Sequence, residues 1–243
     1  MGHFSSEIFA WWQDSLGVTS GKQDAILTLR ESSVLCLWRQ GKALPFSEPA
    51  SFHILKKRLR LAHCWKDQKS VAILLYLVHK YKVPDHWYPQ DLQGRAHVDE
   101  YLAWQHTGLR RSCLRALWHK VMFPVFLGEE IPPEMLAATL AELDVNLQVL
   151  EDKFLQDKDF LAGPHISLAD LVAITELMHP VGGGCPVFEG RPRLAAWYQR
   201  VEAAVGKDLF REAHEVILKV KDCPPADLIL KQKLMPRVLA MIQ

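Results

Sequence analysis

The stretch from Ile166 to Leu171, Ile-Ser-Leu-Ala-Asp-Leu, is the feature that most constrains the fold of this 243-residue chain. Ser167 followed three residues later by Asp170 is a capping box, in which each side chain bonds to a backbone N–H group that the first helical turn leaves unpaired. Ile166 and Leu171 flank the box as a hydrophobic staple. Because capping uses the polar groups of the box, we interpret Ser167 and Asp170 as structural residues.

The helix that this box starts is apolar almost all round. Residues 168–178 include Leu171, Val172, Ile174 and Leu177. Such a helix belongs at the centre of a bundle, covered by others on every side. We expect it to end at Pro180 and the glycines that follow.

Helical periodicity extends over most of the chain after residue 70. Ser70 is suited to cap the first of these helices, and a double proline opens another in the favoured first-turn position. A leucine repeat then forms a seam up to Phe154, and Pro236 predicts a kink in the last helix. The predicted helices span residues 70–81, 92–121 (ending at a break at Pro124), 132–154, 168–178, 193–205, 208–220 and 227–241.

The long helix predicted over residues 92–121 carries two neighbouring stripes. The apolar stripe consists of Leu114, Trp118 and Met122, and the basic stripe of Arg111, Arg115 and His119. Like charges spaced four residues apart on a helix repel each other by a few tenths of a kcal/mol. This repulsion suggests a nearby anion, but charged stripes on helices are more often solvated, and we interpret the stripe as a solvated face.

Composition excludes several classes of function. The formal net charge of +1 gives no bulk attraction for nucleic acid, and we interpret the basic cluster at residues 56–60 as a solvated turn. The longest apolar run, residues 71–78, is too short to span a membrane. Five widely spaced cysteines without a C-x-x-C pair argue against a zinc site and a disulfide framework. We expect a cytoplasmic protein with reduced thiols and no bound metal.

The first 68 residues differ from the rest of the chain. Their apolar residues follow neither the helical nor the strand period for long, although residues 25–29 and 34–38 fit short strands. Prolines and serines predict a loop over residues 45–51. We therefore expect an atypical, irregular segment that lacks a complete sheet.

From residue 69 onward the chain resembles the theta class of glutathione transferases. The resemblance rests on long runs that begin with Val-Ala-Ile-Leu-Leu-Tyr-Leu at residues 71–77 and Lys-Val-Pro-Asp at 82–85. It continues through residues 87–92, 99–104, 150–155, the capping box, 188–192 and 234–236.

The resemblance implies a thioredoxin-like domain followed by an all-helical domain. Because residues 1–68 lack a complete thioredoxin-like sheet, we expect a mainly α fold class for this chain. Residues 69–83 would be a remnant of the glutathione-binding domain, residues 84–90 a linker, and residues 91–243 the all-helical C-terminal domain. Glutathione is the co-substrate of this family and small hydrophobic electrophiles or peroxides are its substrates. Most members are homodimers.

The resemblance also implies site residues. Ser70, Thr107 and Arg110 match positions near glutathione, and Trp118, Met122 and Arg237 match positions around the electrophile. The family serine that stabilises the glutathione thiolate has no counterpart in residues 1–68, so no catalytic residue is identified. The glutamate that precedes the matching serine in the family is replaced by Lys69.

These departures leave three interpretations open. The chain is a glutathione transferase whose activity is impaired, since Lys69 places a positive charge where the family meets the α-ammonium of glutathione. Alternatively, it is a catalytically inactive helical protein that acts through interactions. In a third interpretation the helix at 70–81 lacks the sheet it would cover, and the chain is barely stable.

Overall fold

The computed structural model describes residues 70–222, 224–226, 228 and 231–232. Within these residues the secondary structure is helical, apart from an isolated bridge between Phe160 and Gly163, which confirms the mainly α fold class. No helix in this part of the chain is long and apolar enough to cross a membrane. The irregular segment predicted over residues 1–68 and most of the helix predicted over 227–241 lie outside the described residues. The domain boundaries remain predictions.

The described residues include seven α-helices, two π-helical segments, two short 3₁₀ turns and the isolated bridge. The α-helices are α1 (Ser70–Tyr81), α2 (Leu92–Thr107), α3 (Leu109–Leu117), α4 (Pro133–Val149), α5 (Leu168–Gly182), α6 (Pro192–Val205) and α7 (Lys207–Leu218). The π-helical segments are Trp118–Leu127 and Leu150–Leu155, which continue α3 and α4. The 3₁₀ turns are Asp85–Trp87 and Val220–Asp222.

The prediction of one helix over residues 92–121 is wrong at two places. The helix breaks at Gly108, which has φ −90° and ψ −92°, so α2 and α3 are separate. A Cβ atom at Gly108 would lie 3.0 Å from the side chains of both Trp104 and Asn146, so the joint fits closely against its neighbours.

The expected break at Pro124 does not occur. Pro124 lies inside the π-helical segment Trp118–Leu127, which ends at Gly128 in the left-handed conformation with φ 68°. Proline breaks an α-helix because its ring meets the carbonyl group four residues earlier, and the wider π turn changes that spacing. Phe126 and Leu127 beyond the proline are buried, so continuing the helix adds to the core.

Helix α4 and the π-helical segment that follows it form the predicted leucine seam. Leu143, Leu147, Leu150 and Phe154 are buried along it. The Glu151 side chain then accepts hydrogen bonds from the backbone N–H groups of residues 193 and 194, each at 3.1 Å. These donors lie in the first turn of α6, where helical N–H groups have no partner within the helix.

Helix α5 lies at the centre and is buried on nearly every side. It opens with the capping box at Ser167 and Asp170. It does not end at Pro180, as the sequence predicted, but runs on to Gly182. Pro180 cannot donate to the Glu176 carbonyl oxygen, and the Nδ1 atom of His179 lies 3.1 Å from that oxygen instead. This side-chain bond satisfies the carbonyl group that proline leaves free.

Candidate functional site

The joint at Gly108 separates two of the residues implied for the glutathione site. Thr107 ends α2 and is exposed, and its hydroxyl donates a 3.4 Å hydrogen bond to the Trp104 carbonyl oxygen. Arg110 lies in the first turn of α3 and is half-buried. The break therefore presents a hydroxyl and a guanidinium on neighbouring helix ends.

Arg110 is held by a carboxylate on the central helix. Its Nη1 atom donates to Oε1 of Glu176 at 3.1 Å, across the contact between α3 and α5. The side chain of Glu176 is 7% exposed and that of Arg110 is 27% exposed. The carboxylate is thus the inner partner and the guanidinium the outer partner of the pair.

His179 approaches the same carboxylate from the next turn of α5. Its Nδ1 atom lies 3.8 Å from Oε2 of Glu176. Burial lowers the pKa of His179, and Arg110 lowers it further, while Glu176 opposes this shift. Burial therefore favours a neutral imidazole, and Arg110 is the cation that neutralises Glu176.

Glu176 also shifts the pKa values of two other buried groups, Tyr101 and Cys113. Burial raises the pKa of Tyr101 and of Cys113 well above their ordinary values, and Glu176 raises both further. The Cys113 thiol is fully buried, so it stays protonated and is a packing residue. Neither group fits the role of an activated nucleophile.

Trp118 and Met122, implied for the electrophile pocket, both lie on the first π-helical segment and are buried. The Trp118 ring packs edge-on against Phe123, with centroids 5.9 Å apart. Their role beside an electrophile remains a prediction. The Ser70 side chain and Arg237 lie outside the described residues, although the backbone of Ser70 begins α1.

Of the three residues in the basic stripe, only Arg111 is exposed to solvent, as the sequence predicted. Arg115 donates a hydrogen bond to the Glu142 carboxylate on α4 at 2.6 Å. The anion that the stripe suggested is therefore a side chain of the protein itself. His119 is buried and its Nδ1 atom lies 2.8 Å from the Thr139 hydroxyl. Burial lowers the pKa of His119, and Arg115 adds to this, so the histidine belongs to the core.

A surface groove of about 570 Å³ was not predicted from the sequence. It lies between α4, the π-helical segment after it and the turn before α6, and Asp144, Asp152 and Glu189 give it a mostly acidic lining. Arg191 bonds to Asp144 across it. Within the described residues no group of histidine, cysteine or acidic side chains is arranged to hold a metal ion. The groove contains none of the implied site residues.

Comparison with known proteins identifies the family. Residues 114–204 match the model of the glutathione S-transferase C-terminal domain. The chain is 95% identical over 175 residues to glutathione S-transferase theta-1 of Mus musculus, covering 72% of this chain and 73% of that protein. It is 82% identical over 175 residues to the theta-1 protein of Homo sapiens, with the same coverage.

Solved structures agree with this relationship. The apo form of human glutathione S-transferase T1-1 matches with a TM-score of 0.76 and 64% identity, covering 88% of this chain and 96% of that one. A human theta-class enzyme in complex with the glutathione conjugate of 1-menaphthyl sulfate matches with a TM-score of 0.70 and 37% identity, covering 88% and 94%. The chain therefore belongs to the theta class of the glutathione S-transferase family.

Proposed function

We propose that this chain binds glutathione and conjugates it, through its sulfur, to small hydrophobic electrophiles. The observation that carries this proposal is the 95% identity to a theta-1 transferase over 175 residues. The human theta-class structure that contains a glutathione conjugate supports the same chemistry. Reduction of peroxides by the same thiolate is a second reaction of this site.

In this proposal Ser70, Thr107 and Arg110 bind glutathione. Arg110 supports the assignment best, because its side chain is partly exposed and only one of its N–H donors bonds to another described residue. Guanidinium groups match carboxylates, of which glutathione carries two. Ser70 would bind the γ-glutamyl end in addition to starting α1.

The electrophile would lie against Trp118, Met122 and Arg237. The first two are large apolar side chains on one π-helical segment, and side chains of this kind line hydrophobic ligand pockets. The glutathione thiolate attacks an electrophilic carbon there, a carbon–sulfur bond forms, and the leaving group departs with the bonding electrons. The thiol proton goes to solvent.

Lys69 lowers the affinity of this chain for glutathione in our proposal. It places a positive charge beside the α-ammonium of the ligand, in a position where the family has a glutamate. A reversed charge in a half-buried site costs about 1.4 kcal/mol or more, which is at least roughly tenfold in affinity. We therefore propose an impaired transferase, present in the cytoplasm as a homodimer.

A second candidate function is a catalytically inactive helical protein that binds a partner chain. Lys69 favours it, as does the absence of a family-like serine motif in residues 1–68. The stretch that resembles the family, residues 69–243, keeps Ser70 but has neither the thiolate-stabilising serine nor the glutamate that Lys69 replaces.

A conjugation assay separates the two functions. Full-length protein is mixed with glutathione and 1-menaphthyl sulfate, and the thioether product is measured by chromatography. We expect product above the protein-free rate, saturation with glutathione, and a lower rate for Arg110→Ala. A rate equal to the protein-free reaction, from a chain that a glutathione column does not retain, would support the inactive helical protein.

A further inference from the structure

The pair between Arg110 and Glu176 connects residues 66 positions apart in the sequence, on two helices that pack together. Glu176 is buried against the core, and its two oxygens lie 3.1 Å from Arg110 and 3.8 Å from His179. A buried carboxylate without its cation is strongly destabilising. The pair with Glu176 therefore holds the Nη1 side of the Arg110 guanidinium firmly in place.

The guanidinium uses only part of its hydrogen-bonding capacity in this pair. It carries five N–H donors, and among the described residues a single bond, from Nη1 to Glu176, engages it. The side chain remains 27% exposed. A pair that serves stability alone gains most from two parallel bonds, whereas this one leaves donors free for a ligand.

An arginine side chain that is not held has many rotamers and loses entropy when a ligand fixes it. Fixing it before a ligand arrives removes much of that cost from binding. Thr107 lies at the end of the preceding helix, so a fixed Arg110 would stand beside a second polar group.

We propose that Glu176 is a positioning residue of the glutathione site. Its buried carboxylate holds the Arg110 guanidinium in an orientation in which the remaining N–H groups donate hydrogen bonds to a carboxylate of glutathione. This inference rests on the proposed function. It assigns to α5 a role in ligand binding in addition to its role as the central helix.

The sign of the effect of Glu176→Gln distinguishes positioning from simple electrostatics. Glutamine keeps the shape and an acceptor oxygen but removes a negative charge. Glutathione carries a net negative charge, so removing a nearby negative charge would tighten its binding by Coulomb attraction alone. Loss of positioning would weaken binding instead.

The experiment measures the dissociation constant for glutathione by calorimetry on the full-length wild type, Glu176→Gln, Arg110→Ala and the double variant. We expect Glu176→Gln to weaken binding roughly fivefold and to have no further effect once Arg110 is alanine. The matched control is Glu142→Gln, which alters the pair with Arg115 further along α3 and should leave glutathione affinity unchanged.

The other outcomes overturn the inference in distinguishable ways. Unchanged or tighter binding by Glu176→Gln, with normal binding by the wild type, removes the positioning role but leaves the proposed function intact. Equal weakening in the wild-type and Arg110→Ala backgrounds shows a general structural effect and also removes it. A wild type that binds no glutathione overturns both the inference and the proposed function.

Discussion

Asp170 lies fully buried at the start of α5 and connects three parts of the molecule. Its carboxylate accepts hydrogen bonds from the backbone N–H groups of Leu161 and Ser167 at 2.8 and 2.9 Å. The Ser167 hydroxyl and the Trp197 indole N–H donate to it as well, each at 2.8 Å. Burial raises the pKa of Asp170, and these four donors oppose that shift.

Replacing Asp170 with alanine should lower the free energy of unfolding by about 3 kcal/mol or more. The change leaves several buried donors unpaired, among them the indole of Trp197. Urea denaturation of the variant and the wild type measures the difference. The control is Asp208→Ala, which removes an exposed pair with Arg211 and should cost less than about 0.5 kcal/mol. Equal losses in the two variants would contradict the role of the Asp170 network.

His214 on α7 should make the fold sensitive to acid. Burial lowers its pKa from 6.5 to about 4, and His179 contributes to the shift. Between these two values the unfolded chain binds the proton and the folded chain does not, so protons favour unfolding. The stability from this group is complete above about pH 6.5 and is lost as the pH falls toward 4.

Urea denaturation at pH 7 and pH 5 checks this prediction. We expect the wild type to lose stability between the two values, with His214 supplying up to about 2 kcal/mol of the loss. His214→Gln should show a smaller loss, whereas the control His106→Gln, at an exposed position, should leave the loss unchanged. A pH dependence that survives unchanged in His214→Gln would show that other groups cause it.

At the scale of elements, periodicity predicted the helices from α1 to α7 well but missed how they join. The apolar spacing of residues 136–154 identifies a seam because each leucine meets the neighbouring helix at every turn. Gly108 breaks the helix predicted over 92–121 although no proline stands there. Pro124 and Pro180 do not end their helices, because burial and substitute contacts outweigh the lost backbone bond.

Gly182 is required for the close approach of α5 to the end of α7. A Cβ atom there would lie 2.3 Å from the backbone carbonyl oxygen of Ile217, a contact that no side-chain rotation can relieve. Gly182→Ala should therefore lower the free energy of unfolding by about 2–3 kcal/mol. Gly163→Ala is the control, since a Cβ atom there meets nothing within 4 Å. Thermal or urea unfolding of both variants measures the difference. A Gly182→Ala protein as stable as the wild type would contradict the close contact between Gly182 and Ile217.

At the scale of the whole molecule, the sequence identified the family through long runs of residues and supplied the site residues by resemblance. It could not reveal the Glu176 carboxylate behind Arg110, because the two residues are distant in sequence and Glu176 lies in an apolar helix. It also missed Glu142 as the anion of the basic stripe. Pairs of this kind depend on how helices pack, which local spacing does not specify.

We propose that this chain binds glutathione with an affinity that Lys69 reduces. Calorimetric titration of glutathione into the full-length protein and its Lys69→Glu variant tests it most directly. We expect measurable binding by the wild type, and binding roughly tenfold tighter by the variant because its carboxylate attracts the α-ammonium group. No heat of binding from either protein would contradict the claim and leave a helical protein whose role does not involve glutathione.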